Sequence, residues 1–341
     1  MIEGWMMSNL VIAALAAVGV AVGIWIAKNR IWKEACGQLW RRRPFALVVI
    51  ALYVAVAAAD SICWVGTDSA STDVVARHQA LSLVDRLFLG TEEASYSAPF
   101  SDVEFYGGAA LVHPATHPLG TDILGRDVLY LALKGARVAL LIGGITSLIA
   151  MFLGLLFGVA AGYFGGRIDD AVFFLISTLS SIPGLLLLIT LIMVMGRSTL
   201  SVCVALGITS WVGFCRITRG ETFKLRELEY VQAARALGAS DIKIVLRHVL
   251  PNLIHLVVIT FVLMFSGLVL SEAILSWLGI GVDGSWGQMI DQARDELSRE
   301  PIVWWNIATA GGALFILLLA VNFVGDAVRD VLDPRTLRED L

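Results

Sequence analysis

Long uncharged runs alternate with short polar stretches along this chain. The apolar runs extend from Ser8 to Ala27, Pro44 to Trp64, Val138 to Phe164, Ala171 to Met195, Thr199 to Cys215, Pro251 to Gly281 and Val303 to Val324. A bilayer core of about 30 Å takes roughly 20 helical residues to cross. The pattern therefore predicts an all-α polytopic membrane protein with about seven transmembrane helices. The stretch before the first run holds Glu3 and no Lys or Arg, unlike the basic lead of a signal peptide, so a retained anchor with an external N-terminus is expected.

The polar stretches orient the spans, because loops rich in Lys and Arg stay in the cytoplasm. Lys28, Arg30, Lys33, Arg41, Arg42 and Arg43 follow the first run, and Arg216, Arg219, Lys224, Arg226, Arg235, Lys243 and Arg247 lie between the fifth and sixth. Both segments are placed inside. The connection from about Val65 to Arg137 carries Asp68, Asp73, Asp85, Glu92, Glu93, Asp102, Glu104, Asp122 and Asp127, and it is placed outside with the acidic stretch Asp283 to Glu300. The tail from Asp326 to Leu341 then falls in the cytoplasm.

Composition agrees with a lipid solvent. Of 341 residues, 57% are hydrophobic and 16% charged, with a mean hydropathy of +0.79, against roughly 25% charged in soluble domains. The net charge of -4 gives no cationic surface for a nucleic-acid backbone. Cys36, Cys63, Cys203 and Cys215 are scattered without CxxC spacing and predict neither a disulfide framework nor a zinc site.

Enzymatic signatures are missing. GxxxxGK[ST], HExxH and GxSxG do not occur. Gly279 to Gly284 matches GxGxxG, but it leaves an apolar helical run with no strand before it, and a loop at a helix end accounts for it better. His113 and His117 are four apart, yet Pro114 breaks any shared helix face, which favours a solvated loop over a metal site. Ionisable groups at membrane depth are costly, so Asp60 and Glu272 are pathway or gating candidates, with snorkelling to the outer interface as the alternative. Pro183-Gly184 interrupts the fourth run, as expected of a helix lining a pathway. Gly154, Gly158 and Gly162 stack on one face of the third run and permit close helix approach.

The most informative segment is Arg216 to Leu250, polar yet patterned between two spans. Glu227 to Leu237 is rich in helix formers, Gly238 supplies a stop, and Ser240 can cap a second helix with Asp241 in its first turn. Ile242, Val245, Leu246, Val249 and Leu250 then recur on one face, up to Pro251 at the start of the next span. A helix-turn-helix on the inner membrane face is expected, with Ala233, Ala234 and Ala236 giving it a low profile for a partner.

This segment resembles a known family. Tyr230-Val-Gln-Ala-Ala-Arg-Ala-Leu-Gly238-Ala-Ser-Asp, then Leu246-Arg-His-Val-Leu-Pro251-Asn252, is similar to the EAA motif of bacterial ABC importer permeases, with Gln232 where Glu is usual. The stretches His117 to Asp127, Ala161 to Asp169, Ser271 to Gly281, Ser285 to Gly287 and Gly325 to Pro334 narrow the resemblance to the second permease subunit of dipeptide and oligopeptide importers. It covers roughly Arg41 to Pro334. Residues 1–43 would be an additional anchor and basic segment, 44–136 the family's first span and outer loop, 137–330 the permease core with its coupling segment at 227–251, and 331–341 a cytoplasmic tail.

The resemblance implies a second related permease, two ATPase subunits and an extracytoplasmic binding protein as partners in the bacterial inner membrane. It implies alternating access, with ATP and Mg held by the ATPase subunits and no cofactor or catalytic residue in this chain. Tyr230, Gln232, Ala233, Ala234, Leu237, Gly238, Ala239, Asp241, Arg247 and Pro251 would couple to the ATPase. Pro183 and Glu272 remain the gating candidates. Nickel chelates or another small solute are alternative cargoes, and a channel or membrane enzyme without an ATPase is a distant alternative class.

Overall fold

The structure is a computed structural model that describes residues 37–65 and 80–332. The expected first span and the end of the chain lie outside the described residues. Helix α1 runs Pro44–Ser61, a short antiparallel pair β1 (Cys63–Val65) and β2 (Ala80–Ser82) follows, and α2 is Leu83–Leu87. Then come α3 (Val128–Phe164), α4 (Gly166–Ser181), α5 (Gly184–Met195), α6 (Thr199–Arg226), α7 (Glu229–Ala236) and α8 (Asp241–Ile244). A π-helical turn at Val245–Val249 leads into α9 (Leu250–Trp277), and α10 (Trp286–Glu296) and α11 (Trp305–Leu332) complete the order. Among the described residues five helices are long and apolar enough to cross a membrane, or six when α4 and α5 count as one broken span.

The span from Ala171 to Met195 is not one rod. The axes of α4 and α5 meet at 90°. Pro183 takes an extended backbone and caps α5, because its ring fixes φ and its nitrogen has no proton for the preceding helix. Helix α3 begins at Val128 rather than Val138, since Lys134 and Arg137 are neutralised by partners and do not end the helix. Likewise α6 runs on past Cys215 to Arg226, carrying its basic residues beyond the apolar stretch.

The chain divides into two compact units. The first comprises the chain up to Leu140 together with Ala273–Ala327. Tyr53 of α1 donates to the carbonyl of Ala313 at 2.9 Å and stacks edge-on against Trp286. The Trp286 indole donates to the carbonyl of Ala132, and Gly135 leaves the room its ring occupies. The Trp305 indole donates to the Thr121 carbonyl at 2.9 Å, which ties α11 to the irregular segment before α3.

The second unit is Leu141–Glu272 with the chain from Val328 onward. Here α3 and α6 touch along the glycine row. A methyl group on Gly154 would meet Phe214 and the backbone of Cys215 at 2.8 and 3.1 Å, and one on Gly162 would meet the Arg219 carbonyl at 2.7 Å. The Thr218 hydroxyl sits against Gly158 and donates across to the carbonyl of Gly154 at 3.0 Å. Close backbone approach of this kind gives dispersion contacts that a larger side chain would prevent.

Gly158→Ala should therefore cost about 1–3 kcal/mol through overpacking, while Gly144→Ala, with open space around it, should cost little. Thermal melting of the solubilised protein checks this, and equal midpoints for the two variants would contradict the packing.

Candidate functional site

The segment between α6 and α9 folds as a helical hairpin on an apolar base. Val231, Ile244, Val249 and Leu253 are fully buried in one cluster with Val159, Tyr163 and Leu225, and Ala234, Ala239, Val245 and Leu250 pack against its edge. Gly238 takes φ +81, a left-handed conformation open to glycine, and so reverses the chain between α7 and α8. The Leu237 N–H bonds the Ala233 carbonyl and the Ala239 N–H bonds the Ala234 carbonyl, satisfying the end of α7.

With the apolar residues turned inward, the opposite side is presented outward. Tyr230, Gln232, Ala233, Leu237, Gly238, Asp241, Arg247 and Pro251 are all exposed. Leu237 is 88% exposed at the tip, and Ile242 and Leu246 stand out beside it at 70% and 60%. Gln232 donates back to the carbonyl of Glu227 at 3.2 Å, and Asn252 donates to the Tyr230 hydroxyl at 3.1 Å. Arg235, also on α7, is held above its ordinary pKa, chiefly by the nearby Tyr163 side chain.

Two expectations for the hairpin need correction. Ile242 and Leu246 do not join the buried face, because the π turn adds a residue to the helical period and rotates the sequence out of register. Ser240 occupies the capping position of α8, but its side chain makes no capping bond. Asp241, next to it, instead accepts a hydrogen bond from Tyr163 at 2.7 Å.

The gating candidates are placed apart from this hairpin in sequence and setting. Pro183 is exposed at the α4–α5 bend. Glu272 is only 3% exposed in α9, so it does not snorkel outward. Asp60 is 1% exposed and does not snorkel either. Its carboxylate takes a bond from Ser82 at 2.8 Å and pairs with Lys134 at 2.9 Å and Arg137 at 3.4 Å. A charge so buried is tolerated only because it is paired. Asp60 thus fastens α1 to α3 in the first unit.

Of the two histidines, His113 lies partly exposed in an exposed stretch of loop, whereas His117 does not. His117 is buried, and its Nδ1 donates to Asp127 at 2.9 Å while Nε2 faces Glu93 at 3.6 Å. Among the described residues no three such side chains form a metal-holding group. Glu93 accepts from the backbone N–H of Val112 and of His113 at 2.9 and 2.7 Å. Glu296, which reads in the sequence as one more external acid, is buried, and Asn306 donates to both its oxygens at 3.1 Å. Burial raises its pKa above the ordinary carboxyl value. Tyr163 and the Asp169–Arg219 pair also escape a reading for charged or reactive motifs, although the glycine-rich turn from Ala161 to Asp169 marks their location.

Among the described residues, five helices long and apolar enough to cross a membrane, with an exposed helical hairpin between two of them, define a multi-pass membrane protein. The family of binding-protein-dependent transport system inner membrane components matches residues 154–338, more than half the chain, and the chain belongs to that family. It is 35% identical to a dipeptide transport system permease of Bacillus subtilis over 66% of this chain and 70% of that one. It is 36% identical to a glutathione transport system permease of Pectobacterium atrosepticum over 65% and 73%, and 36% to an oligopeptide transport system permease of Escherichia coli over 64% and 72%. An inward-facing structure of the MetNI methionine ABC transporter shares the fold, with a TM-score of 0.50 and 21% identity, covering 60% of this chain and 98% of that chain.

Glu93 yields a pH prediction. Burial pushes its carboxyl up, but the two backbone N–H groups and the imidazoles of His117 and His113 outweigh burial and hold it below its ordinary value. Such a group stabilises the fold above its unfolded pKa of about 4.3 and withdraws that contribution as pH falls through the lower folded value. Hydrogen-exchange protection of the Val112 and His113 amides, corrected for intrinsic rates, should drop as the pH is lowered below about 4. Glu93→Gln should abolish that dependence, and protection unaffected by acid in the unsubstituted protein would contradict it.

Proposed function

We propose that this chain is a permease subunit of an ATP-driven importer that carries di- and oligopeptides inward by alternating access. The observation that carries the reading is the outward face of the hairpin. Leu237, Gly238, Ile242 and Leu246 project from a base that is itself fully packed. An apolar tip on a rigid support is suited to insertion into a cleft of another protein, since little ordering entropy is lost on docking. The occupant fitting this family is an ATPase subunit. Two such subunits, a second related permease and an extracytoplasmic binding protein complete the assembly, and nucleotide and Mg belong to the ATPase subunits.

Peptide cargo is supported by relatives whose names specify dipeptides, oligopeptides and glutathione, itself a peptide. In this scheme ATP-driven closure of the ATPase pair moves α7 and α8 as levers and turns the pathway outward, and hydrolysis resets it. The transport step needs no covalent chemistry from this chain.

Affinity purification from the native membrane tests the proposal. ATPase subunits and a second permease should come down together, with ATP hydrolysis stimulated by peptide-loaded binding protein. An ATPase complex indifferent to peptides would discard the cargo, and a chain that purifies without an ATPase would discard the docking role. Gly238→Asp should abolish uptake while membrane insertion stays normal, because any side chain at φ +81 is strained and this one adds charge to the tip. Normal uptake in that variant would count against docking at this face.

A further inference from the structure

The turn from Ala161 to Asp169 has no part in the docking surface, yet it holds two fasteners at the inner end of α3. Tyr163 is 3% exposed, and its ring belongs to the cluster beneath the hairpin. Its hydroxyl donates to Oδ1 of Asp241, the first residue of α8, at 2.7 Å. The Arg235 guanidinium, from α7, lies over the same ring at 5.3 Å and its Nη2 is 3.9 Å from Asp241. One side chain of α3 thus engages both helices of the hairpin. On the far side of the turn, Asp169 of α4 receives two bonds from Arg219 of α6, the one from Nη2 at 2.6 Å. Arg226, at the end of α6, donates to the Gly162 carbonyl at 3.2 Å.

Beside its direct chain link to α6, the hairpin's connections to α9 and to α3 differ. Toward α9 the chain passes through the π turn at Val245–Val249, a local irregularity of the kind at which helices bend. Toward α3 it is joined by a part-buried, charge-assisted hydrogen bond and by a cation over an aromatic ring, both of which fix orientation. Beyond Tyr163, α3 is bound to α6 by the glycine row and Thr218. A displacement of the hairpin transmitted through Tyr163 would therefore move α3 and α6 as one body.

We propose that Tyr163 is a positioning residue for energy coupling, joining the hairpin to the α3–α6 pair through Asp241 and Arg235. This rests on the reading of the hairpin as an ATPase-docking surface. The residue touches neither nucleotide nor cargo. It sets how much of the hairpin's movement reaches the membrane helices.

The test uses the whole transporter in liposomes, with both permeases, the ATPase subunits and the binding protein, and reads peptide taken up per ATP hydrolysed. Tyr163→Phe keeps the ring and its packing and removes the hydroxyl. Subunit stoichiometry and ATP hydrolysis should be kept, while uptake per ATP falls severalfold. Adding Tyr163→Phe to Asp241→Ala should cost no more uptake per ATP than Asp241→Ala alone, since both remove the same bond. Unchanged uptake per ATP in Tyr163→Phe, or fully additive losses in the double variant, would overturn the proposal. If the unsubstituted chain retains no ATPase, the docking reading itself fails and this proposal with it. If ATPase is retained and Tyr163→Phe couples normally, only the role of Tyr163 falls.

Discussion

Between α3 and α6 there is no side chain at Gly154, Gly158 or Gly162, and the two backbones come together across that gap. In lipid, where burying apolar surface gives no net drive between helices, such contact supplies the dispersion energy that association needs. The Thr218 hydroxyl, fully buried, reaches the Gly154 carbonyl of the neighbouring helix as closely as the Phe214 carbonyl of its own, because the helices are so near. The second unit is organised around this contact. Leu225 at the end of α6 and Val159 and Tyr163 at the end of α3 are brought side by side, and the hairpin packs its buried residues onto that pair. A hairpin without such a base would be an interfacial amphipathic segment able to roll on the membrane surface. With it, the outward face holds a fixed orientation.

Polar groups follow a related rule in the first unit. Asp60, Glu93, Asp127 and Glu296 are all buried, and each meets a donor or cation supplied by a different stretch of chain. The desolvation of a lone carboxylate would be prohibitive, so each must be matched within the fold. These matches connect α1, the segment before α3, α10 and α11, and give the irregular outer segment an order that hydrophobic patterning alone does not specify. Trp286 and Trp305 act alongside them, each burying its ring and spending its single N–H on a backbone carbonyl.

Much of the architecture is legible in the sequence, because a membrane helix announces itself by composition. Five of the expected spans are single helices, and the hairpin's glycine stop at 238 lies where its spacing places it. The misreadings share one cause. A sequence displays a charge or a break but not what stands opposite it. Lys134 and Arg137 look like the end of a span until Asp60 is found beside them, and Asp60 and Glu272 look like groups seeking the interface. His117 looks solvated until Asp127 and Glu93 enclose it. The 90° bend at Pro183 and the π turn at Val245–Val249 are likewise choices among backbone alternatives that local pattern leaves open. The residues proposed for coupling are identified by resemblance, and most of them are exposed on the hairpin.

The account centres on that face as the place where an ATPase docks. The most direct measurement is photo-crosslinking in native membranes from a benzophenone side chain placed at Leu237, the most exposed apolar residue of the hairpin. The account predicts an adduct with an ATP-hydrolysing subunit, which disappears when the probe is moved to buried Val231. Adducts with lipid alone, or an adduct of equal yield from both positions, would contradict it.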